Sequence, residues 1–216
     1  MLKYISIFFD FCRRIYRKGV VLPMGKCRLG YCGKNVNYQN STSAPSRVLK
    51  RVHLYDNTTL NSTSIISGGG RFIMKKNSGS SSGLTVITGN HHRKLGVSFI
   101  DGRDNENLDI EKDILVEEDV WIGAGVTLLS GITVGRGVTI GAGSVCLKSI
   151  PPYAVVMGNP AKVVGFNFTP EEIIEHEKAL YPKEERLPLE LLEKNYKKYF
   201  LDHIKEIKAY TGLICK

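Results

Sequence analysis

Residues 120–164 read VWIGAGVTLLSGITVGRGVTIGAGSVCLKSIPPYAVVMGNPAKVV, and their spacing decides the fold. In steps of six, Val116, Ile122, Leu128, Val134 and Ile140 are aliphatic. Four residues after each stand Val120, Val126, Ile132, Val138 and Ser144. Gly125, Gly131, Gly137 and Gly143 mark the turns, and the register runs back to Ile110. A helix repeats near 3.6 residues and a strand at 2, so a period of six fits neither alone. It fits a short strand plus a turn, with one side chain facing inward per unit. Hexapeptide repeats of this kind mark a parallel β-helix, in which three units close one coil of about 18 residues.

Working outward, Val48, Leu54, Leu60, Ile66, Phe72, Ser78 and Leu84 are also six apart. Leu84 and Ile110 are not, so the register breaks once, over residues 90–109. The expected organisation is mainly β. It comprises a basic N-terminal segment (1–47), a β-helix (48–166) with an inserted loop (90–109), and a C-terminal helical extension (167–216). Thr169-Pro170-Glu171-Glu172 reads as an N-cap, a first-turn proline and acids beside the helix dipole. That helix runs to Tyr181-Pro182, and a second is expected from Leu189 to about Tyr210, with Leu192, Tyr196, Tyr199 and Ile207 as packing stripes.

The 216 residues carry a net charge of +9, unevenly sourced. Residues 1–51 hold eleven Lys or Arg against Asp10 alone, while the remainder sums to −1. Such an end predicts an anionic partner, and a membrane surface suits it. Over residues 1–18, Leu2, Ile5, Phe8, Phe9, Cys12 and Ile15 alternate with Lys3, Arg13, Arg14, Arg17 and Lys18. That is an amphipathic basic helix, open to two readings: lying on an anionic membrane, or packed across a subunit contact. Nucleic acid is not expected, because no helix-turn-helix, zinc or RNP-like pattern accompanies the charge. No secretion signal and no spanning segment is read. The five cysteines form no CxxC pair, so neither a disulfide framework nor a zinc ribbon is expected. A reduced, cytoplasmic setting follows, peripheral to the inner membrane face if residues 1–18 bind there.

The run 120–164 strongly resembles the hexapeptide-repeat acyltransferases, and the resemblance extends over roughly 48–166. It implies a left-handed parallel β-helix, a homotrimer with sites between subunits, acetyl-CoA as donor and no metal. Acyl transfer to a hydroxyl or amine needs a base near neutral pKa, which histidine supplies. LTVITGNH (84–91) resembles the family's strand that ends in its catalytic histidine, which puts that role on His91. His92 is left to position the acceptor or to face solvent. Asp101, Asp104, Asp109 and Glu117 are candidates to orient His91.

For the donor, the resemblance implies contacts at Ala124 and Ala142, small residues that leave a groove for pantetheine. Gly-rich turns at 123–125 and 141–143 can expose backbone N–H groups to a developing oxyanion. Lys148 in CLKSIPP and Lys162 in GNPAK match nucleotide-contacting positions. Leu147 departs from the hydroxyl residue often found beside that lysine. Asn61 stands at a spacing where sugar acetyltransferases of the family contact the acceptor. FTPEEIIE (168–175) resembles the tail of the antibiotic and polysaccharide acetyltransferases. The implied function is acetyl transfer to a sugar hydroxyl in surface polysaccharide or glycan assembly. An antibiotic or amino-sugar N-acetyltransferase is the alternative, and a non-catalytic β-helical scaffold stands apart from both.

Overall fold

The computed structural model describes residues 2–39, 46–66, 69–91, 93–102 and 110–212. His92, Asp104, Asp109 and Cys215 lie outside the described residues. Short strands of three parallel faces stack into a three-sided coil. Face one orders β1 (Tyr31–Cys32), β3 (Val52–Leu54), β6 (Phe72–Met74), β11 (Ile114–Val116) and β14 (Thr133–Val134). Face two runs β2 (Asn37–Gln39), β4 (Thr59–Asn61), β7 (Gly79–Ser80), β12 (Trp121–Ile122), β15 (Thr139–Ile140) and β17 (Ala154–Met157), closed by antiparallel β18 (Lys162–Phe166). Face three holds β5 (Ser64–Ile66), β8 (Thr85–Ile87), β13 (Thr127–Leu129) and β16 (Val145–Cys146). Leu54, Leu60, Met74, Val86, Val116, Ile122, Leu128, Val134 and Ile140 fill the interior and are almost wholly buried.

The six-residue period holds strictly only in the later coils. Val116 pairs with Val134, eighteen residues on. Leu54 pairs with Met74, twenty residues on, so the earlier run slips by two. Phe72 stands beside Ile114, which shifts it from the position of Leu54 to the one two residues before it. Because side chains alternate along a strand, a two-residue slip leaves the inward set inward. An aliphatic period of six therefore survives a change of register that it does not reveal. Val48 is a further correction. It lies half-buried in helix α3 (Ser46–Leu49), and the parallel strands begin well before it, at Tyr31.

The corners explain which residues tolerate the turn. Asn35, Asn57 and Asn77 all hold positive φ, which asparagine accepts more readily than most residues. Their amides form a ladder: Asn35 Nδ2 donates to Asn57 Oδ1 (3.1 Å) and Asn57 Nδ2 to Asn77 Oδ1 (3.0 Å). Met74 pairs with Val116, forty-two residues on, so an excursion leaves the coil between them. The antiparallel pair β9 (Gly89–Asn90) and β10 (Ile110–Glu111) closes its base, and α4 (Phe99–Gly102) lies within it.

Helices flank the coil. At one end stand α1 (Leu2–Tyr16), a π-helical turn (Arg17–Val21) and α2 (Leu22–Cys27). At the other, α5 (Pro170–Leu180) begins at Thr169, whose side chain and Glu172 form the reciprocal capping box. The second expected helix is broken: α6 (Leu189–Tyr199) ends at Phe200 (φ −121°, ψ −62°), and α7 (Ile204–Thr211) follows a 3₁₀ turn. Glu177, fully buried, holds this arm to the coil. Its carboxylate accepts from Arg136 Nη1 (3.1 Å), Tyr153 Oη (3.0 Å) and the Leu187 amide (2.6 Å).

Candidate active site and donor groove

His91 follows β9 directly, so the antiparallel pair delivers it to the corner between faces three and one. It is exposed, and its ring meets Phe99 of α4 edge-on at 5.9 Å. The Arg93 guanidinium stands 5.7 Å from that same phenyl ring. Of the acids expected near His91, Asp101 accepts a hydrogen bond from the Ser98 hydroxyl. Glu117 takes the Lys75 ammonium at 2.9 Å, on face one. Burial alone would lower the Lys75 pKa, but the Glu117 hydrogen bond and charge outweigh it and raise it.

Asn61 ends β4, at the opposite corner of face three, and its amide donates to the Ser80 carbonyl (3.0 Å). Ala124 and Ala142 stack at that corner one coil apart, both exposed. Gly125 and Gly143 there hold φ of +67° and +72°, and a Cβ on either would meet nothing within 4 Å. The wall is thus flat and open. The expected oxyanion donors are not found at the glycines. Gly123 N–H donates to Ile140 O, Gly125 to Ser82 O, Gly141 to Val156 O and Gly143 to Ala124 O, all within 3.0 Å. Stacking the coils consumes these four glycine N–H groups.

Leu147, Lys148 and Lys162 come together. They line one groove of about 500 Å³ at the last coil. Its far wall is Tyr199, His203, Glu206, Ile207 and Tyr210 of the C-terminal arm. The Lys162 ammonium lies 5.9 Å from the Tyr210 ring, and His203 Nδ1 lies 3.4 Å from Glu206 Oε2. Tyr199 and Ile207, expected only as packing residues, thus face the groove together with Tyr210. The break at Phe200 folds α7 back against the lysines, and no glycine or proline signals it. Cys146 forms the groove floor, and burial pushes its thiol up to about 11. Among the described residues no group of three or more His, Cys, Asp or Glu is arranged to hold a metal ion.

Residues 113–148 match the bacterial transferase hexapeptide family (six repeats). Over those residues the coil is a hexapeptide repeat. No curated protein matches the chain in sequence. Among solved structures, a hexapeptide-repeat acetyltransferase of Vibrio cholerae O1 biovar eltor, complexed with acetyl coenzyme A, is 22% identical with a TM-score of 0.55. That match covers 67% of this chain and 75% of the Vibrio chain. A galactoside acetyltransferase in complex with coenzyme A is 22% identical over 77% of this chain and 76% of its own, with a TM-score of 0.56. The Bacillus cereus N-acyltransferase AntD, bound to dTDP and 3-hydroxybutyryl-CoA, is 16% identical over 73% and 92%, with a TM-score of 0.52. These likenesses concern the fold, and they make the hexapeptide-repeat coil a left-handed parallel β-helix.

Proposed function

We propose that the protein transfers an acetyl group from acetyl-CoA to a sugar hydroxyl in surface polysaccharide or glycan assembly, as a cytoplasmic homotrimer. One observation carries this reading. Leu147, Lys148 and Lys162 converge on a groove that aromatic side chains wall, and that groove shares a corner of the coil with His91. His91 stands two coils away, on the order of 10 Å along the axis at the usual strand spacing. An extended pantetheine arm spans that gap. Its nucleotide phosphates would sit against Lys148 and Lys162, and the thioester would reach His91. Ala124 and Ala142 lie on the other edge of the same face, so in a trimer they serve the groove of a neighbouring subunit.

In this reading His91 takes the proton from the acceptor hydroxyl as its oxygen attacks the thioester carbon. The C–S bond then breaks, and the thiol of CoA leaves with the proton that His91 returns. Phe99 and the Arg93 guanidinium beside it would frame the acceptor, with Asn61 and His92 as further acceptor contacts. The same base serves an amine acceptor, so antibiotics and amino sugars belong in the test. The experiment is a thiol-release screen with acetyl-CoA over sugars, nucleotide sugars, amino sugars and antibiotics. His91→Ala should lower turnover by about 10²-fold or more while CoA binding is kept, and His92→Ala should do less. A more damaging His92→Ala would move the base by one residue. Absence of acetyl transfer to every acceptor would favour a binding scaffold.

A further inference from the structure

We propose that α1 seats the protein on an anionic lipid surface with its apolar face immersed. No described side chain of α1 is covered by the rest of the chain: Leu2 is 83% exposed, Phe9 66%, Phe8 62% and Phe11 59%. At about 100° per residue, Ser6, Asp10, Arg13 and Arg14 fall within one arc of about 100°. Apolar residues fill the rest of the circumference, Leu2, Ile5, Phe8, Phe9, Phe11 and Ile15 among them. A seam against one partner helix is a much narrower stripe. An apolar arc wider than half the helix suits a setting that surrounds it on three sides, as acyl chains do.

The charges select the surface. Arg13 and Arg14 stand at the two margins of the polar arc, where each guanidinium reaches the level of lipid phosphates beside the immersed face. Arg14 and Lys18 also edge a depression floored by Phe11, Ile15 and Gly19. Residues 1–18 hold five Lys or Arg against one Asp. A second copy of this helix would therefore meet like charge, and an anionic surface meets opposite charge. Arg13, Arg14, Arg17 and Lys18 end the apolar run well short of what a roughly 30 Å hydrocarbon core needs, so the helix lies in the interface. None of the described helices is long and apolar enough to cross a membrane. This proposal does not depend on acetyl transfer.

The test is flotation of the full chain with phosphatidylcholine vesicles, with and without 30% phosphatidylglycerol, at low salt and at 0.5 M salt. The expected result is binding to the anionic vesicles alone, reduced about tenfold or more by salt. Phe8→Glu with Phe11→Glu should abolish it without lowering the melting temperature, since neither side chain packs on the coil. Cys12, on the apolar arc, should become protected from a water-soluble thiol reagent on those vesicles, with exposed Cys27 as the internal control. Absence of binding to anionic vesicles at low salt overturns the proposal. So does equal binding of the double variant, or a double variant that changes the oligomeric state and leaves flotation as it was.

Discussion

The two helical arms of this molecule make opposite use of their apolar residues. The C-terminal arm buries few: Ile173 and Leu192 pack with Tyr153 of the coil, and Ile207 lies against the last coil's groove. Its attachment is polar at the centre, through the buried Glu177 carboxylate and its donors Arg136, Tyr153 and Leu187. In the N-terminal arm, α1 carries nine large apolar side chains in fifteen residues and buries none of them. Apolar content therefore does not say which arm is docked. What separates them is whether the arm carries a group that only the coil can satisfy. Arg136 keeps the Glu118 carboxylate at 3.2 Å if Glu177 leaves, but the Tyr153 hydroxyl and the Leu187 amide lose their acceptor, so the C-terminal arm has one place to sit. Among the described residues no equivalent buried group ties α1 to a surface of its own chain.

The largest expected effect breaks that difference. Glu177→Ala removes the acceptor and leaves Arg136 and Tyr153 half-buried or buried without it. Burial alone would lower the Arg136 pKa, and the Glu177 hydrogen bond and charge reverse this and raise it. Arg136 keeps Glu118, and each buried donor left without its acceptor costs about 1–3 kcal/mol, read as a shift of the urea midpoint. An unchanged midpoint would show that Ile173 and Leu192 hold the arm without the network.

How much of this was legible in the sequence follows from the physics of each feature. The coil was, because an inward side chain every six residues is a direct trace of strand plus turn. So was the cap of α5, since Thr169, Pro170 and Glu172 act on their own backbone neighbours. The slip between Leu54 and Phe72 was not, because alternation makes a shift of two residues silent in the pattern. The aromatic wall over Lys162 was not either. It depends on how α7 folds back after Phe200, a tertiary event with no local marker. The glycine N–H groups at 123–125 and 141–143 misled for a related reason. Spacing shows that a turn exists and does not show that the neighbouring coils have already taken its glycine donors.

Cysteine reactivity sharpens the contrast between exposed and covered regions. Cys12 and Cys27 in the N-terminal arm are exposed, and Cys146 lies buried beneath the C-terminal arm. Burial raises the Cys146 thiol from 9.0 to about 11, so at pH 8 it stays protonated. Two pH units are about a hundredfold in thiolate, and the thiolate is what reacts. Cys146 should therefore label at least about 100-fold more slowly than Cys12 at pH 8, and the gap should close in urea. The folded state holds this proton more tightly than the unfolded chain. Its contribution to stability is thus fully present below pH 9 and is lost as pH rises toward 11. Equal labelling of folded Cys146 and Cys12 would mean that the groove floor opens.

The smallest effect tests whether the C-terminal arm serves the donor as well as the fold. Lys148 and Lys162 are charges facing the groove, and Tyr210 lies over Lys162 from the arm. If the nucleotide end of acetyl-CoA occupies this groove, its phosphates are held equally in the ground and transition states. Lys148→Ala and Lys162→Ala should then raise KM for acetyl-CoA on the order of tenfold each and leave kcat near its starting value. Dephospho-CoA derivatives should lose less in these variants than in the parent, because the missing phosphate has already given up its partner. Tyr210→Ala should behave as the lysine variants do if the arm forms a true wall. Phe8→Glu in the opposite arm should leave KM for free acetyl-CoA unmoved. A Tyr210→Ala variant with unchanged KM would reduce the C-terminal arm to a clamp on the coil. A fall in kcat with KM unchanged in the lysine variants would place these charges near the reacting carbonyl, away from the phosphates.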